Sequence, residues 1–446
     1  MEKLKYEKPV ISKITAGVPN KFGLPTKLKV IPGIDGIPVS KLIDEFGSPL
    51  FVLSERTIRE TFSDARRAFE TRYPRVQFAW SYKTNYLDAI CSIFHSEGAW
   101  AEVVSGFEFE KALALGVNGS NIIFNGPEKS EQDLMLAIDN NACIHIDHTD
   151  ELYLLIAVTK KMNKKARVAI RINLDAGIYP IWDRFGFNYE NGEAWNAINR
   201  IMLAGNLELT GLHTHMGTYI MSTSAYAIAA NKLAYLFMAT YRKFGHWLKY
   251  IDLGGGFASK NTLKGSYMPG QETCPSFDAY AEAITNALIS SEIHHEKLPV
   301  LFLETGRALI DDAGYLLSTV LANKRSIAGR RTMVIDAGIN LLFTSFWYNL
   351  GIYPTREGSQ ILEDTTIYGP LCMNIDVVRD AVNFPPVNTG DQLVIERVGA
   401  YNMTQWMQFI TYRPNVVLID HEGKTHIIRK KEDAGTFRQA EYNPKI

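Results

Sequence analysis

Residues 299–307 read PVLFLETGR, a short apolar run that stops at Glu304 and passes at once into Thr305, Gly306 and Arg307. Upstream, VQFAWSY (76–82) stops at Lys83, WAEVV (100–104) at Ser105, and NIIFN (121–125) ends on Asn125. CIHID (143–147) ends on Asp147, RVAIRIN (167–173) carries Arg171, ELTGLH (208–213) ends on His213, and KYIDL (249–253) meets Gly254. Runs this apolar suit strands buried on both faces. Helix-length stretches separate most of them, which is the pattern of an eight-stranded α/β barrel, the (β/α)8 or TIM fold. In that architecture the C-terminal ends of the strands share one face, so the polar residues closing the runs converge on one site.

Helices are expected at 85–97, 106–115, 129–140, 149–163, 190–205, 222–245 and 277–292. In EFEKALALG (108–116), for example, Phe109, Ala112 and Leu113 share a face and Gly116 stops the helix. The insert 258–276, with Gly265, Pro269, Gly270 and Pro275, reads as a loop on the active-site side of the seventh strand. Beyond about residue 312 the texture changes. TMVIDA, TTIYG, QLVIERVG, NVVLID and KTHIIRK are short strands without long helices between them, the signature of an all-β domain. TKLKVIP (26–32) and PLFVLS (49–54), separated by a short helix at 39–46, are strands expected to join it. The expected domains are therefore 1–54, strands added to the β domain; 55–311, the barrel; and 312–446, a β-sandwich or β-barrel-like domain.

The 47 basic and 48 acidic residues balance, which gives no electrostatic case for nucleic acid or an anionic membrane. LYLLIAV (152–158) falls far short of the roughly 20 apolar residues of a membrane span. MEKLKYEKPV lacks the apolar core of a secretory signal, so a cytoplasmic enzyme is expected. Cys91, Cys143, Cys274 and Cys372 are scattered and read as reduced thiols. The string Cys143-x-His145-x-x-His148 reads as a barrel strand, and no metal is expected there.

Gly254-Gly255-Gly256 lets backbone N–H groups approach an anion, and Gly306-Arg307 adds a helix start and a cation, where barrels commonly hold phosphate. A glycine triplet alone is more often a tight turn. Lys83 ends a strand facing a desolvated centre, which is expected to lower its pKa and free a nucleophilic amine. The bland alternative is a lysine reaching to solvent. His213 and His215 lie two apart and share a face, so one can stack on a flat ring; otherwise they are hydrogen-bonded core residues. Glu304 is placed to hold a proton on a pyridine nitrogen. A lysine, an anion cradle and a ring-stacking histidine in one barrel mouth point to pyridoxal 5'-phosphate (PLP).

The motifs SYKTN (81–85), EVVSGFE (102–108), FNGPEK (124–129), HTHMGT (213–218), LGGGF (253–257), ETGR (304–307), YGPLCMNID (368–376) and GAY (399–401) occur in that order. On them the chain resembles the fold-type III PLP decarboxylases, the group of diaminopimelate, ornithine and arginine decarboxylases, whose barrel is alanine-racemase-like. The resemblance implies that Lys83 is the Schiff-base lysine, that His215 stacks on the ring and that Glu304 partners the pyridine nitrogen. It further implies phosphate contacts from Thr218, Gly254, Gly255, Gly256, Gly306, Arg307 and Tyr401, with Arg171 and Asn125 near the cofactor. Cys372 matches the cysteine that reaches a neighbouring subunit's site, which implies a head-to-tail homodimer. The family also has an aspartate where Asp376 stands.

Departures from the family fall at substrate positions. After the cysteine the family usually has an acidic residue for a distal amine; here it is Met373, and a thioether cannot pair with an ammonium. Diaminopimelate decarboxylases usually carry Arg-Pro where this chain has Thr344-Ser345. Asn374, Ser345, Thr344 and Trp347 suggest a less charged pocket, and Thr344, Tyr348, Met373, Asn374 and Asp376 are the expected substrate-binding residues. The expected substrate is therefore a glutamate-like, apolar or carrier-tethered amino acid. Diaminopimelate decarboxylation and racemisation are the alternatives. Glu102 stands where an aspartate near the lysine is common, and Thr305 replaces the usual proline.

Overall fold

The computed structural model describes residues 29–444 apart from Tyr179 and Gln360. The run at 49–54 becomes β1 (Leu50–Ser54). The eight runs become β2 (Val76–Ser81), β3 (Trp100–Val103), β4 (Ile122–Phe124), β5 (Cys143–Ile146), β6 (Ala166–Asn173), β7 (Leu207–His213), β8 (Tyr250–Asp252) and β9 (Val300–Leu303). All eight are parallel, and they close in the order β7–β8–β9–β2–β3–β4–β5–β6 with β6 returning to β7. Ala79, Ile123, Cys143, Ala169, Tyr250 and Phe302 fill the barrel interior as one cluster. Register decides what faces the mouth: His213 on β7 lies opposite Arg171 on one side and Asp252 on the other.

Each expected helix forms, shortened by one to three residues at its ends. In Gly106–Ala114, Ser105 accepts from the Glu108 N–H as the N-cap, and Phe109 and Ala112 are buried. The chain leaves that helix through Gly116, whose φ of 80° is left-handed. Nearby, Trp80 at the end of β2 stacks on Phe94 of the next helix with ring centroids 3.8 Å apart. Burying side chains of this size contributes roughly 1.5–3 kcal/mol each.

A second sheet follows, built from β10 (Gly314–Arg325), β11 (Arg331–Ile335), β12 (Glu363–Tyr368), β13 (Val377–Phe384), β14 (Gln392–Glu396), β15 (Val416–Ile419) and β16 (Thr425–Arg429). Its order is β13–β12–β11–β10–β1–β15–β16, with β14 on β10. Thus β1, which precedes the barrel in sequence, is central to the sheet that follows it. Of the run expected at 26–32, residues 26–28 lie outside the described residues, and Lys29–Pro32 form no strand; a two-residue strand at Gly33–Ile34 follows instead. The insert 258–276 is more than a loop. Its Thr262–Leu263 pairs antiparallel with Tyr348–Asn349, which ties the barrel mouth to the sheet domain.

Candidate active site

A cavity of about 580 Å³ opens at the C-terminal end of the barrel strands. At one end Arg307 is buried, with its guanidinium carbon 5.1 Å from the Tyr348 ring and 4.6 Å from the Tyr401 ring. Among the described residues its Nε and Nη1 have no hydrogen-bond partner, and the nearest carboxylate, Asp311, is 3.9 Å away. A buried cation with unmet donors is costly unless an anion completes it. Gly255, Gly256, Gly306 and Thr218 line the same end. Gly254 does not line the cavity but makes the turn: its φ is 63°, and a Cβ there would stand 2.6 Å from the Thr214 carbonyl oxygen. At Gly256 (φ 90°) a Cβ would strike the Gly217 carbonyl. This end fits a phosphate.

Lys83 opens on the cavity with its Nζ 2.6 and 2.8 Å from the two Glu102 carboxylate oxygens. The expectation of a lowered pKa is overturned. Burial does pull the amine down, but the Glu102 charge, with Tyr401 and Glu304 adding, holds it above the ordinary lysine value. The free amine is held as an ion pair with Glu102. Glu102 accepts from Asn125 Nδ2 at 3.0 Å, and the same nitrogen donates to Glu304 Oε1 at 2.6 Å. One amide thus couples the lysine's counter-ion to the carboxylate across the barrel.

His215 accepts from the Gly255 N–H through Nδ1 at 3.0 Å, which leaves Nε2 to carry the proton. Burial, with Arg171 and Lys83 adding, pushes its pKa well down, so the ring is neutral. Trp182 stands edge-on to it, centroids 5.6 Å apart. Arg171 lies 4.5 Å over the Phe185 ring, and its Nη1 is 3.6 Å from Asp147. Trp182 and Phe185 come from a segment without periodic pattern, and no signal in the sequence pointed to them. Leu263, Trp347, Pro127 and Gln405 complete the outer wall.

The expected substrate residues are only partly brought together. Tyr348 lines the cavity, against Arg307. Thr344 does not, which corrects the expectation: it is buried, and its hydroxyl and N–H both donate to Asn402 Oδ1, at 3.0 and 3.2 Å. Asn402 in turn donates to the Val398 and Ala400 carbonyls, so Thr344 steadies the turn that presents Tyr401. Thr344→Val is expected to cost about 1–2 kcal/mol in unfolding free energy, read by chemical denaturation; no loss would remove this role. Asp376 is likewise not a cavity residue. It is buried and accepts from the Ile339 and Leu371 N–H groups at 2.8 and 2.7 Å, tying two loops together. Cys372, Met373 and Asn374 lie on the adjoining loop, outside the cavity of their own chain, with Cys372 exposed. His148 turns away from Cys143 and His145 to cap the helix Thr149–Met162.

The residues present fit PLP: an unpartnered buried guanidinium and glycine cradle for its phosphate, a lysine for its aldehyde, and a carboxylate across the cavity for its ring nitrogen. Comparison with known proteins agrees. The profile of the pyridoxal-dependent decarboxylase pyridoxal-binding domain matches residues 55–311, more than half of the chain. The chain belongs to the pyridoxal-dependent decarboxylases. This decarboxylase is 29% identical over 415 residues to the diaminopimelate decarboxylase of Aquifex aeolicus, covering 90% of this chain and 93% of that protein. With the Bacillus subtilis diaminopimelate decarboxylase it shares 27% identity over 420 residues, 90% of this chain and 92% of that one. The crystal structure of the Methanocaldococcus jannaschii diaminopimelate decarboxylase superposes with a TM-score of 0.85 at 27% identity, covering 94% of this chain and 98% of the other. The decarboxylase is thus a PLP-dependent enzyme with the closed parallel barrel and sheet domain of those structures.

Proposed function

We propose that this decarboxylase removes the α-carboxylate of an amino acid bound in the barrel mouth. What supports the reading is one cavity with Lys83, His215, Glu304 and Arg307 on its walls. PLP, when bound, supplies a conjugated ring that takes up the electron pair left by departing CO2. Lys83 is the amine that holds the cofactor's aldehyde carbon, and Glu102 orients that amine through two hydrogen bonds. His215 offers a neutral ring face. Arg307 takes the phosphate. Glu304 accepts from the ring nitrogen, and Lys83, or Cys372 from a second copy of the chain, returns the proton to Cα.

Diaminopimelate is the substrate that the relatives favour, at 27–29% identity across 90% of the chain. A second reading, a substrate without a distal ammonium, is favoured by the aromatic wall of Trp182, Phe185 and Trp347, and by Met373 where its loop enters the cavity of a second copy. Such a substrate is glutamate-like, apolar or tethered. Release of CO2 from meso-diaminopimelate, lysine, ornithine, arginine, glutamate and apolar amino acids, in both chiral forms, tests both. Turnover of diaminopimelate removes the second reading. Turnover of another amino acid alone removes the first, and silence across the panel with PLP bound turns the question to a tethered substrate or to racemisation.

A head-to-tail homodimer fits the exposed loop at Cys372, which lies outside its own cavity. Mixing Lys83→Ala with Cys372→Ala protein is expected to raise activity above that of either variant alone, because one site of each hybrid dimer is then intact. No recovery on mixing would put Cys372 outside the partner's site. No helix among the described residues is long and apolar enough to cross a membrane.

A further inference from the structure

Behind the cavity wall at Glu304, four buried side chains bring ionisable atoms within 4.8 Å of one another: His145, His213, Asp252 and Glu304. His145 Nε2 is taken by the Tyr250 hydroxyl at 2.8 Å, and its Nδ1 lies 4.0 Å from Glu304 Oε1. His213 Nε2 lies 3.3 Å from Glu304 Oε2. Asp252 Oδ1 accepts from the Gly254 N–H at 2.8 Å, Oδ2 has no hydrogen-bond partner among the described residues, and a carboxylate oxygen of Asp252 lies within 4.8 Å of one of Glu304. Asp252 therefore joins the glycine turn to the carboxylate across the cavity.

Charge settles how the four groups share protons. Burial, with Arg171 adding, pushes His213 well below its usual pKa, and burial with His213 does the same to His145. Both imidazoles are then neutral. Two adjoining carboxylates in so dry a place cannot both ionise without a counter-charge between them. Burial and the Glu304 charge push Asp252 well above the ordinary carboxylate range, so the proton sits there.

We propose that Asp252 is a positioning residue for the cofactor ring: it donates a hydrogen bond to Glu304 and so orients that carboxylate at the cavity wall for the ring nitrogen. This rests on the reading that Glu304 meets that nitrogen. The experiment strips the protein of cofactor and measures binding of PLP and of 1-deaza-PLP, whose ring nitrogen is replaced by C–H, through quenching of tryptophan fluorescence. Asp252→Ala is expected to weaken PLP about tenfold while leaving 1-deaza-PLP unchanged, and Asp252→Asn, whose amide still donates, to bind both as the native protein does. Equal weakening of both ligands makes Asp252 a support of the glycine turn and overturns the proposal, as does no weakening at all. Glu304→Ala separates the two readings. If it fails to discriminate between the ligands, the Glu304 assignment falls; if it discriminates and Asp252→Ala does not, only the Asp252 proposal falls. Should the alanine variant not fold, infrared difference spectra of native protein against Asp252→Asn decide. A protonated-carboxyl stretch lost in the variant is expected, and its absence from the native protein at neutral pH overturns the proposal.

Discussion

Lys83→Ala is expected to release no measurable CO2, a loss on the order of 10³ to 10⁴ or more, and to lose the visible absorbance of lysine-bound cofactor. Two functions vanish together, because the same amine both holds the cofactor and is a candidate to return the proton. Stability complicates the alanine variant. Glu102 is fully buried, and without Lys83 it keeps, among the described residues, the Asn125 amide alone, so about 1–3 kcal/mol of folding free energy is lost as well. Lys83→Arg separates the effects. An arginine preserves the charge beside Glu102 but is not a nucleophile at neutral pH, so folding recovers and turnover does not. Circular dichroism melts and CO2 assays on the two variants check this. Activity retained in either one would move the covalent attachment to another amine.

Arg307→Met is the second large effect. The substitution removes the buried guanidinium that Tyr348 and Tyr401 sandwich, and with it the donors at Nε and Nη1. PLP affinity is expected to fall about 10- to 100-fold, the equivalent of one charge-assisted hydrogen bond of roughly 1.5–3 kcal/mol. The cofactor-free protein is expected to unfold at the same denaturant concentration or a higher one, because a buried cation with unmet donors has been replaced by a thioether of similar shape. Titration calorimetry with PLP and urea unfolding of the stripped protein give the two readings. An unchanged affinity would take Arg307 out of the phosphate site.

What was legible in the sequence is what period and punctuation encode. The eight barrel strands are buried on both faces, so their apolar runs needed no partner to be seen, and the residues closing them fell together because parallel strands end on one face. Lys83, His215, Glu304 and Arg307 were found that way. Strand β10 was missed because its first half is buried and its second half exposed, so no single alternation runs along it. Thr344 and Asp376 sit in the expected segments, but side-chain direction there depends on Asn402 and on the Ile339 and Leu371 amides, contacts that sequence order does not reveal. The charge state of Lys83 failed for a related reason. Desolvation was anticipated, and so was an acid near the lysine at Glu102, but the two short hydrogen bonds that outweigh burial depend on a register, Glu102 opposite Ser81, set only on folding. Asp252 did leave a trace, as an acid inside an apolar run just before three glycines.

The central place of β1 has a consequence for how the chain is made. Its hydrogen-bonding partners are Gly314–Leu317 on one side and Val416–Ile419 on the other. At roughly 5–20 residues per second, a ribosome extrudes Leu50–Ser54 on the order of tens of seconds before the nearer of those partners exists. The entire barrel emerges in that interval. A fully buried, largely apolar strand with both edges open is a template for pairing between nascent chains, and in the finished molecule both edges are paired. Chains truncated before Val416 would keep one of those edges open, and they are the forms of this protein expected to aggregate.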